Sequence, residues 1–248
     1  MMKASKISAL LCAFALALSA QANANDANIA KKLLESKTKR TLEVVSFSPL
    51  DSSGLFLLTI QDKLNGYKTL LISDEKQKNL VVASAFFSSD EAAMRRVAQE
   101  LNAISSHNFK VQNSAKLNAL FASIPQDYAI TITGATSKKL YIVSDPMCSH
   151  CQEELARIEE KLQTHTIIMI PVGLLGQDSL YKAADIARQI RSAKTPKEQI
   201  QTLRKIYART YTPTTASDEA YSQVVRVTNS IKNSGLIEGV PFIYEALN

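Results

Sequence analysis

The chain has 248 residues, 46% of them hydrophobic, with three cysteines and a formal net charge of +6. That much apolar material excludes a charged disordered tail, and the length suffices to bury a core in two units. The densest basic cluster, Lys37, Lys39 and Arg40, has no interleaved aromatics and the other charges alternate in sign, so a nucleic-acid partner is not expected.

Residues 1–24 carry a short basic start (Lys3, Lys6), an apolar run from Ile7 to Ala20, and small residues at Ala20-Gln21-Ala22 and Ala22-Asn23-Ala24. This pattern reads as a secretory signal peptide cleaved after Ala22 or Ala24. The run is too short for a spanning helix, and Cys12 within it follows Leu11 rather than the small residue expected before a lipid-modified cysteine. A soluble exported protein is expected. Export permits disulfides, yet only Cys148 and Cys151 remain after cleavage, so stability must come from a core rather than from staples.

A short helix is expected over 28–36, with Ile29, Leu33 and Leu34 on one face. Four strand-like runs follow at 41–47, 55–61, 67–73 and 80–86. Turn residues separate them: Pro49 to Gly54, then Asn65-Gly66, then Asp74 to Asn79. So small a meander exposes strand edges, which a second copy would pair, and the module reads as a dimerisation unit. Ser88-Ser89-Asp90-Glu91 then supplies an N-cap for a connector helix with Met94, Val97, Leu101 and Ile104 at helical spacing. The connector is expected to break near Ser105-Ser106-His107-Asn108, leaving His107 on the surface. A second helical run with Leu117, Leu120, Phe121 and Ile124 stops at Pro125.

Beyond Pro125 the pattern is strand (128–133), turn at Gly134, strand (140–143), the stretch Ser144-Asp145-Pro146-Met147-Cys148-Ser149-His150-Cys151, a helix with Leu155, Ile158 and Leu162 on one face, and strand (166–172). This is a βαβ unit of a mixed sheet, with the cysteines at the carboxyl end of a strand, where such folds place their sites. Three helices follow. Leu180, Ala183, Ala187 and Ile190 mark the first; Thr195-Pro196-Lys197-Glu198 is a capping box opening the second; the third runs from Ser217-Asp218-Glu219 to Gly235. His165 borders a strand in a structural role. In Gly239-Val240-Pro241-Phe242 the proline must sit at a strand's first position or on an edge. Local odds favour a trans bond there, since about 5–6% of X-Pro bonds in folded proteins are cis.

A helix beginning at Cys-x-x-Cys puts Cys148 against orphan backbone N–H groups and the positive end of the dipole, which favour a thiolate. A free thiol titrates at about 8.5, and lowering that by two units takes about 2.7 kcal/mol. A helix terminus usually supplies about 0.3–1 kcal/mol, reaching about 2. His150, between the cysteines, is expected to add a hydrogen bond or a positive charge. Cys148 is therefore the nucleophile and Cys151 the resolving thiol, and a stable thiolate makes their disulfide oxidising. A purely structural disulfide in so short a loop adds only about 2 kcal/mol. Structural zinc needs four ligands, against two cysteines and the scattered His107, His150 and His165. Covalent haem needs histidine where Gln152 stands. No metal or cofactor is expected. Asp145 either relays protons or shapes the turn.

The strand-Cys-x-x-Cys-helix unit, the helical insertion and the late Val240-Pro241 before a strand resemble the thioredoxin fold. With the exported meander and connecting helix, the chain resembles the dimeric periplasmic disulfide isomerase family of DsbC and DsbG, whose Asp-Pro-x-Cys lead-in matches Asp145-Pro146-Met147-Cys148. The resemblance implies an α+β fold class: a small N-terminal antiparallel sheet plus helix over 25–88 as a cystatin-like dimerisation module, linker helices over 89–125, and a thioredoxin-like α/β catalytic domain over 126–248 with a helical insertion at about 174–236. It implies that Cys148 attacks, that Cys151 resolves, that Pro241 is a cis-proline facing the disulfide, and that Val240 offers backbone groups to an extended substrate peptide. Ser149-His150 departs from the pattern, because those isomerases usually carry an aromatic at the second position, and a histidine there resembles the oxidase DsbA. The implied function is a V-shaped periplasmic homodimer that isomerises, and can also introduce, disulfides in misfolded or reduced exported proteins. It would be served by a DsbD-like reductant or DsbB-like oxidant of the inner membrane and would hold apolar segments as a chaperone does. A dedicated DsbA-like disulfide oxidase and a redox-independent holdase are the alternatives.

Overall fold

The computed structural model describes residues 27–51 and 54–246. The expected signal peptide with Cys12, and Ser52 and Ser53 of one expected turn, lie outside the described residues. The chain divides into two units with the boundary between Asn108 and Phe109.

In the first unit, α1 (Asn28–Thr38) precedes an antiparallel meander of β1 (Leu42–Pro49), β2 (Leu55–Asp62), β3 (Lys68–Asp74) and β4 (Leu80–Val82), paired in that order. Because side chains alternate along a strand, each central strand feeds two apolar faces. Leu58, Ile60 and Leu71 pack with Leu42, Phe47 and Ala30 of α1. Leu57 and Leu70 pack on the other face with Ala93, Val97 and Ile104 of α2 (Glu91–Gln112). At the β2–β3 turn, Gly66 has φ +76° and its N–H reaches the Asp62 carbonyl at 2.8 Å, a conformation that suits glycine. The fourth strand is shorter than its pattern: Ala83 still donates to the Leu70 carbonyl, after which the chain leaves the ladder and Phe86 packs with the α2-side cluster.

Asp90 caps α2 by accepting the Ala92 and Ala93 N–H groups at 2.8 and 3.2 Å. The expected break at Ser105 to Asn108 does not occur. His107 Nε2 lies 2.9 Å from the Gly66 carbonyl, and Asn108 both accepts from the Lys68 N–H and donates to the Lys68 carbonyl. Side chains that compete with helical hydrogen bonds when free are here engaged by the β2–β3 hairpin. His107 is thus a tether of that hairpin instead of a bare surface residue.

The second unit comprises α3 (Ser114–Ser123), β5 (Ile130–Ile132), β6 (Lys139–Ser144), α4 (Ser149–Ala156), α5 (Ile158–Leu162), β7 (Thr166–Pro171), α6 (Gln177–Gln189), a 3-10 turn Ile190–Ser192, α7 (Pro196–Tyr207), α8 (Glu219–Asn233) and β8 (Phe242–Glu245). Its sheet has the order β5-β7-β6-β8, with β6 and β7 parallel and the outer pairs antiparallel. One face carries Val143, Ile170 and Tyr244 against Leu117 and Phe121 of α3, Ala183 and Ala184 of α6, and Val224, Val227 and Ile231 of α8. The other carries Ile142, Ile167 and Met169 against Cys151, Leu155 and Ile158 of α4 and α5 and Leu203 and Ile206 of α7. The single helix expected after the cysteines is interrupted at Arg157, and Arg204 of α7 donates to the Leu155 and Ala156 carbonyls beside the break. The capping box is formed as its sequence predicts, with the Thr195 side chain and Glu198 exchanging hydrogen bonds and Pro196 at the first helical position. Gly134 is obligatory, since a Cβ there would lie 1.8 Å from the His165 carbonyl oxygen.

Candidate active site

The central strand β6 is buried on both sides and delivers Ser144 and Asp145 to the edge of the sheet, where both are sealed from solvent. The backbone then turns through Pro146-Met147 into α4. Asp145 holds that turn. Its Oδ2 accepts the Leu174 and Leu175 N–H groups at 2.7 and 3.0 Å, while Oδ1 accepts the Met147 N–H at 2.8 Å and the Ser179 hydroxyl. Four donors converge on one buried carboxylate, tying the loop before α4 to the loop after β7. This geometry belongs to a turn-shaping residue.

Cys148 occupies the N-cap of α4 with extended backbone angles, φ −80° and ψ 124°. It is half-buried, and its thiol donates to the Val240 carbonyl at 3.4 Å. The Val240–Pro241 peptide is cis. Local odds, which favour trans, do not decide a bond whose isomer the tertiary setting selects. Pro241 directly precedes β8, next to β6, as a strand-opening proline must.

Cys151 sits one turn further on and is 0% exposed, packed among core residues. Its Sγ accepts from the Asp145 N–H at 3.3 Å. Burial pushes its thiol up to about 12; the Asp145 N–H and the Ser144 hydroxyl pull the other way, and the adjacent Cys148 adds to the rise. Both cysteines are free. The pair is therefore asymmetric, one sulfur opening to solvent and one sealed behind it.

His150 does not meet the expectation of a contact to sulfur. Its Nδ1 pairs with Glu153 Oε2 at 3.3 Å, with 76% of the side chain exposed. Two residues along a helix from Cys148, its ring points to a different face. Gln152 was not singled out by pattern, yet its amide donates to the Pro146 and Tyr207 carbonyls and so clamps the turn to α7. Tyr207 was also missed: its hydroxyl donates to Ser144 Oγ at 2.8 Å in the interior. Nothing local marks either one, because Tyr207 reads as an ordinary core position of α7.

Beside Cys148 runs a cleft of about 790 Å³ whose lining is mixed, with Leu174, Val225 and Ile237 alongside Asn229, Lys232 and Glu238. Leu175 of that lining, and Met147 directly before Cys148 in the chain, are exposed large apolar residues. Among the described residues no group of three or more His, Cys, Asp or Glu is placed to hold a metal ion, and no helix is long and apolar enough to cross a membrane.

A family profile described as "Disulfide isomerase DsbG N-terminal" matches residues 30–117. The solved structure of Helicobacter pylori DsbG is similar at 33% identity, covering 87% of this chain and 98% of that one, with a TM-score of 0.51. The chain belongs to the DsbG family. Its chemistry is accordingly that of a thiol-disulfide oxidoreductase, as the sequence predicts. Also similar are a periplasmic thioredoxin-like protein from Salmonella enterica serovar Typhimurium, at 17% identity over 52% of this chain and 84% of that one with a TM-score of 0.41, and the catalytic domain of Proteus mirabilis ScsC, at 15% identity over 54% and 91% with a TM-score of 0.42. No curated protein sequence matches the chain.

Proposed function

We propose that this DsbG-family chain is an exported homodimer that isomerises wrong disulfides in client proteins and also passes its own disulfide to reduced ones, with Cys148 as nucleophile and Cys151 as resolving thiol. One observation carries the reading: a half-buried sulfur at a helix N-cap beside an open cleft, with a sealed sulfur one turn behind it. In isomerisation the Cys148 thiolate attacks one sulfur of a client disulfide and the other client sulfur leaves as a thiolate. A second client thiol then attacks the client sulfur and expels Cys148 as a thiolate, or Cys151 attacks Cys148 Sγ, forming the Cys148–Cys151 disulfide and expelling the client sulfur as a thiolate. In oxidation the Cys148–Cys151 bond goes to a client dithiol, and both enzyme sulfurs end reduced. Release by a client thiol returns the pair reduced; after release through Cys151 an inner-membrane reductant supplies two electrons to the Cys148–Cys151 disulfide, and after donation an inner-membrane oxidant re-forms it.

The cleft accepts an extended client segment, and Val240 and Pro241 present the backbone edge it lies against. In the N-terminal unit the short outer strand β4 exposes Val81 and Val82, a surface suited to a second copy of the chain. His150 between the cysteines favours a second reading, a dedicated disulfide donor of the DsbA kind. Trapping free thiols in cells with an alkylating reagent separates the two: a pool held mostly reduced supports isomerisation, a pool held mostly oxidised supports donation. Cys151→Ala should accumulate client mixed disulfides through Cys148. Rescue of scrambled clients by Cys148→Ala would overturn both readings in favour of a redox-independent holdase, and a solution mass of one chain would overturn the dimer.

A further inference from the structure

Among the described residues of the C-terminal unit, three large apolar side chains are exposed: Phe109 at 37%, Met147 at 42% and Leu175 at 56%. Phe109 belongs to α2. The other two come from different loops, and one buried group holds both. Asp145 Oδ1 accepts the Met147 N–H at 2.8 Å and Oδ2 the Leu175 N–H at 3.0 Å, so the two nitrogens lie within about 8 Å of each other, one carboxylate apart. The rest of the second loop is pinned as well. The Leu174 N–H donates to Asp145 Oδ2 at 2.7 Å and the Gly173 N–H to Thr228 Oγ1 at 3.0 Å. Apolar residues scattered singly over a surface need no explanation; two set together at the nucleophile do. Met147 directly precedes Cys148, and Leu175 lines the same cleft as Cys148.

We propose that Met147 and Leu175 are specificity-determining residues, an apolar clamp positioned through Asp145 that favours clients carrying a large apolar residue next to the reacting cysteine. This rests on the reading that Cys148 is the nucleophile. The client sulfur must reach Cys148 Sγ, and consecutive Cα atoms are about 3.8 Å apart, so the residues flanking that sulfur lie over the groups flanking Cys148. An apolar flank takes Met147 and Leu175 out of water and leaves it with them; a polar flank gains nothing there. The backbone beneath both is already ordered by its hydrogen bonds, so little ordering remains to oppose the contact. The unbranched Met147 adapts to different shapes, and the clamp therefore selects a class of side chain, aliphatic or aromatic, instead of a single residue.

The test uses the reduced full chain carrying Cys151→Ala, so that an adduct on Cys148 accumulates. The probes are the symmetric disulfides of two short peptides, identical except that leucine flanks the cysteine in one and serine in the other. In the step read, the Cys148 thiolate bonds to one peptide sulfur, the peptide disulfide breaks, and the second peptide leaves as a thiolate that takes up a proton. Cys148 is oxidised to the mixed disulfide and the departing sulfur is reduced. Acid quenching and mass measurement time the adduct, and each rate is divided by that of the same probe with glutathione, which removes the intrinsic reactivity of the disulfide. The leucine probe should react about tenfold faster on this scale. Met147→Ser and Leu175→Ser should each lower that ratio about threefold, and together they should bring it to about one. Met147→Leu and Leu175→Met, which keep the apolar area, should preserve it. Because both probes meet the same variant, a change in the Cys148 thiol or a loosened loop cancels from the ratio. A parent ratio near one overturns the proposal, as does a ratio that survives both serine substitutions; in either case the adduct still forms and Cys148 stands as nucleophile. A lysine-flanked or glutamate-flanked probe that outruns the leucine probe overturns it in favour of the charged lining of the cleft, Lys232 and Glu238. If no probe forms an adduct, the proposal falls together with the reading it rests on.

Discussion

Replacing Asp145 by asparagine tests whether that buried carboxylate is the clasp of the active-site loops. The substitution turns one acceptor oxygen into an NH₂ donor, and the side chain has two ways to sit. With its nitrogen in place of Oδ2 it faces the Leu174 and Leu175 N–H groups, backbone donors that cannot turn away. Two orphaned buried donors at about 1–3 kcal/mol each cost about 2–6 kcal/mol. With its nitrogen in place of Oδ1 it faces the Met147 N–H and the Ser179 hydroxyl, and the hydroxyl can rotate to accept. Only Met147 is then orphaned, at about 1–3 kcal/mol. The second arrangement wins, so Asp145→Asn should lose about 2 kcal/mol and roughly 4–8 °C in melting temperature. The rotated serine gives the argument a sharper check. Adding Ser179→Ala removes the rescuing acceptor, so the double variant should lose about 1 kcal/mol more than the sum of the singles. A melting temperature for Asp145→Asn within about 1 °C of the parent would refute the clasp, and strict additivity with Ser179→Ala would refute the rotation.

The buried Cys151 thiol makes a signed pH prediction. Its folded pKa, pushed up to about 12 from 9.0, lies above the unfolded value, so its contribution to stability is fully present below pH 9 and is lost as pH rises toward 12. At pH 10 the loss is about 1.4 kcal/mol. Denaturant melts of the reduced protein at pH 8 and pH 10 should differ by about that much more than those of Cys151→Ala. Gly134→Ala drives a Cβ into the His165 and Leu162 carbonyl oxygens and should cost more than about 3 kcal/mol or prevent folding, read by soluble yield and thermal melting. Asn108→Ala removes both bonds to Lys68. It should cost about 1–3 kcal/mol, with faster amide exchange at Lys68 against unchanged exchange at Ile142 of the C-terminal sheet.

Period and punctuation carried most of the fold. The apolar run of β2, the Asn65-Gly66 turn, the Thr195 to Glu198 capping box and the strand-cysteine-helix-strand succession are local signals that formed where they are written. What failed was legible only in three dimensions. Ser105 to Asn108 reads as a helix break because such side chains compete for backbone when alone, and it is helix where a hairpin some forty residues earlier takes up His107 and Asn108. The segment 89–125 carries apolar stripes whose spacing says helix without naming the sheet they cover; Val97 and Ile104 lie on the N-terminal sheet, and Leu117 and Phe121 in the C-terminal core.

The site shows the same division at closer range. Cys148 and Cys151 declare themselves by their spacing and by the strand before them, and the N-cap assignment of Cys148 needs nothing from elsewhere in the chain. His150 misleads for the same reason: adjacency in sequence suggested a contact to sulfur, and the rotation of a helix between positions two apart turns it outward to Glu153. The group that donates to the buried sulfur is the Asp145 N–H at the end of β6, and the neighbouring Ser144 is met by Tyr207 of α7, more than fifty residues later. A tyrosine on an apolar helix face looks like packing until its hydroxyl is seen to meet a serine. That meeting is a property of how α7 packs on the sheet, and the surroundings of Cys151, which shares a buried cluster with Leu203, Ile206 and Tyr207, are set by the helical insertion as much as by the motif that contains it.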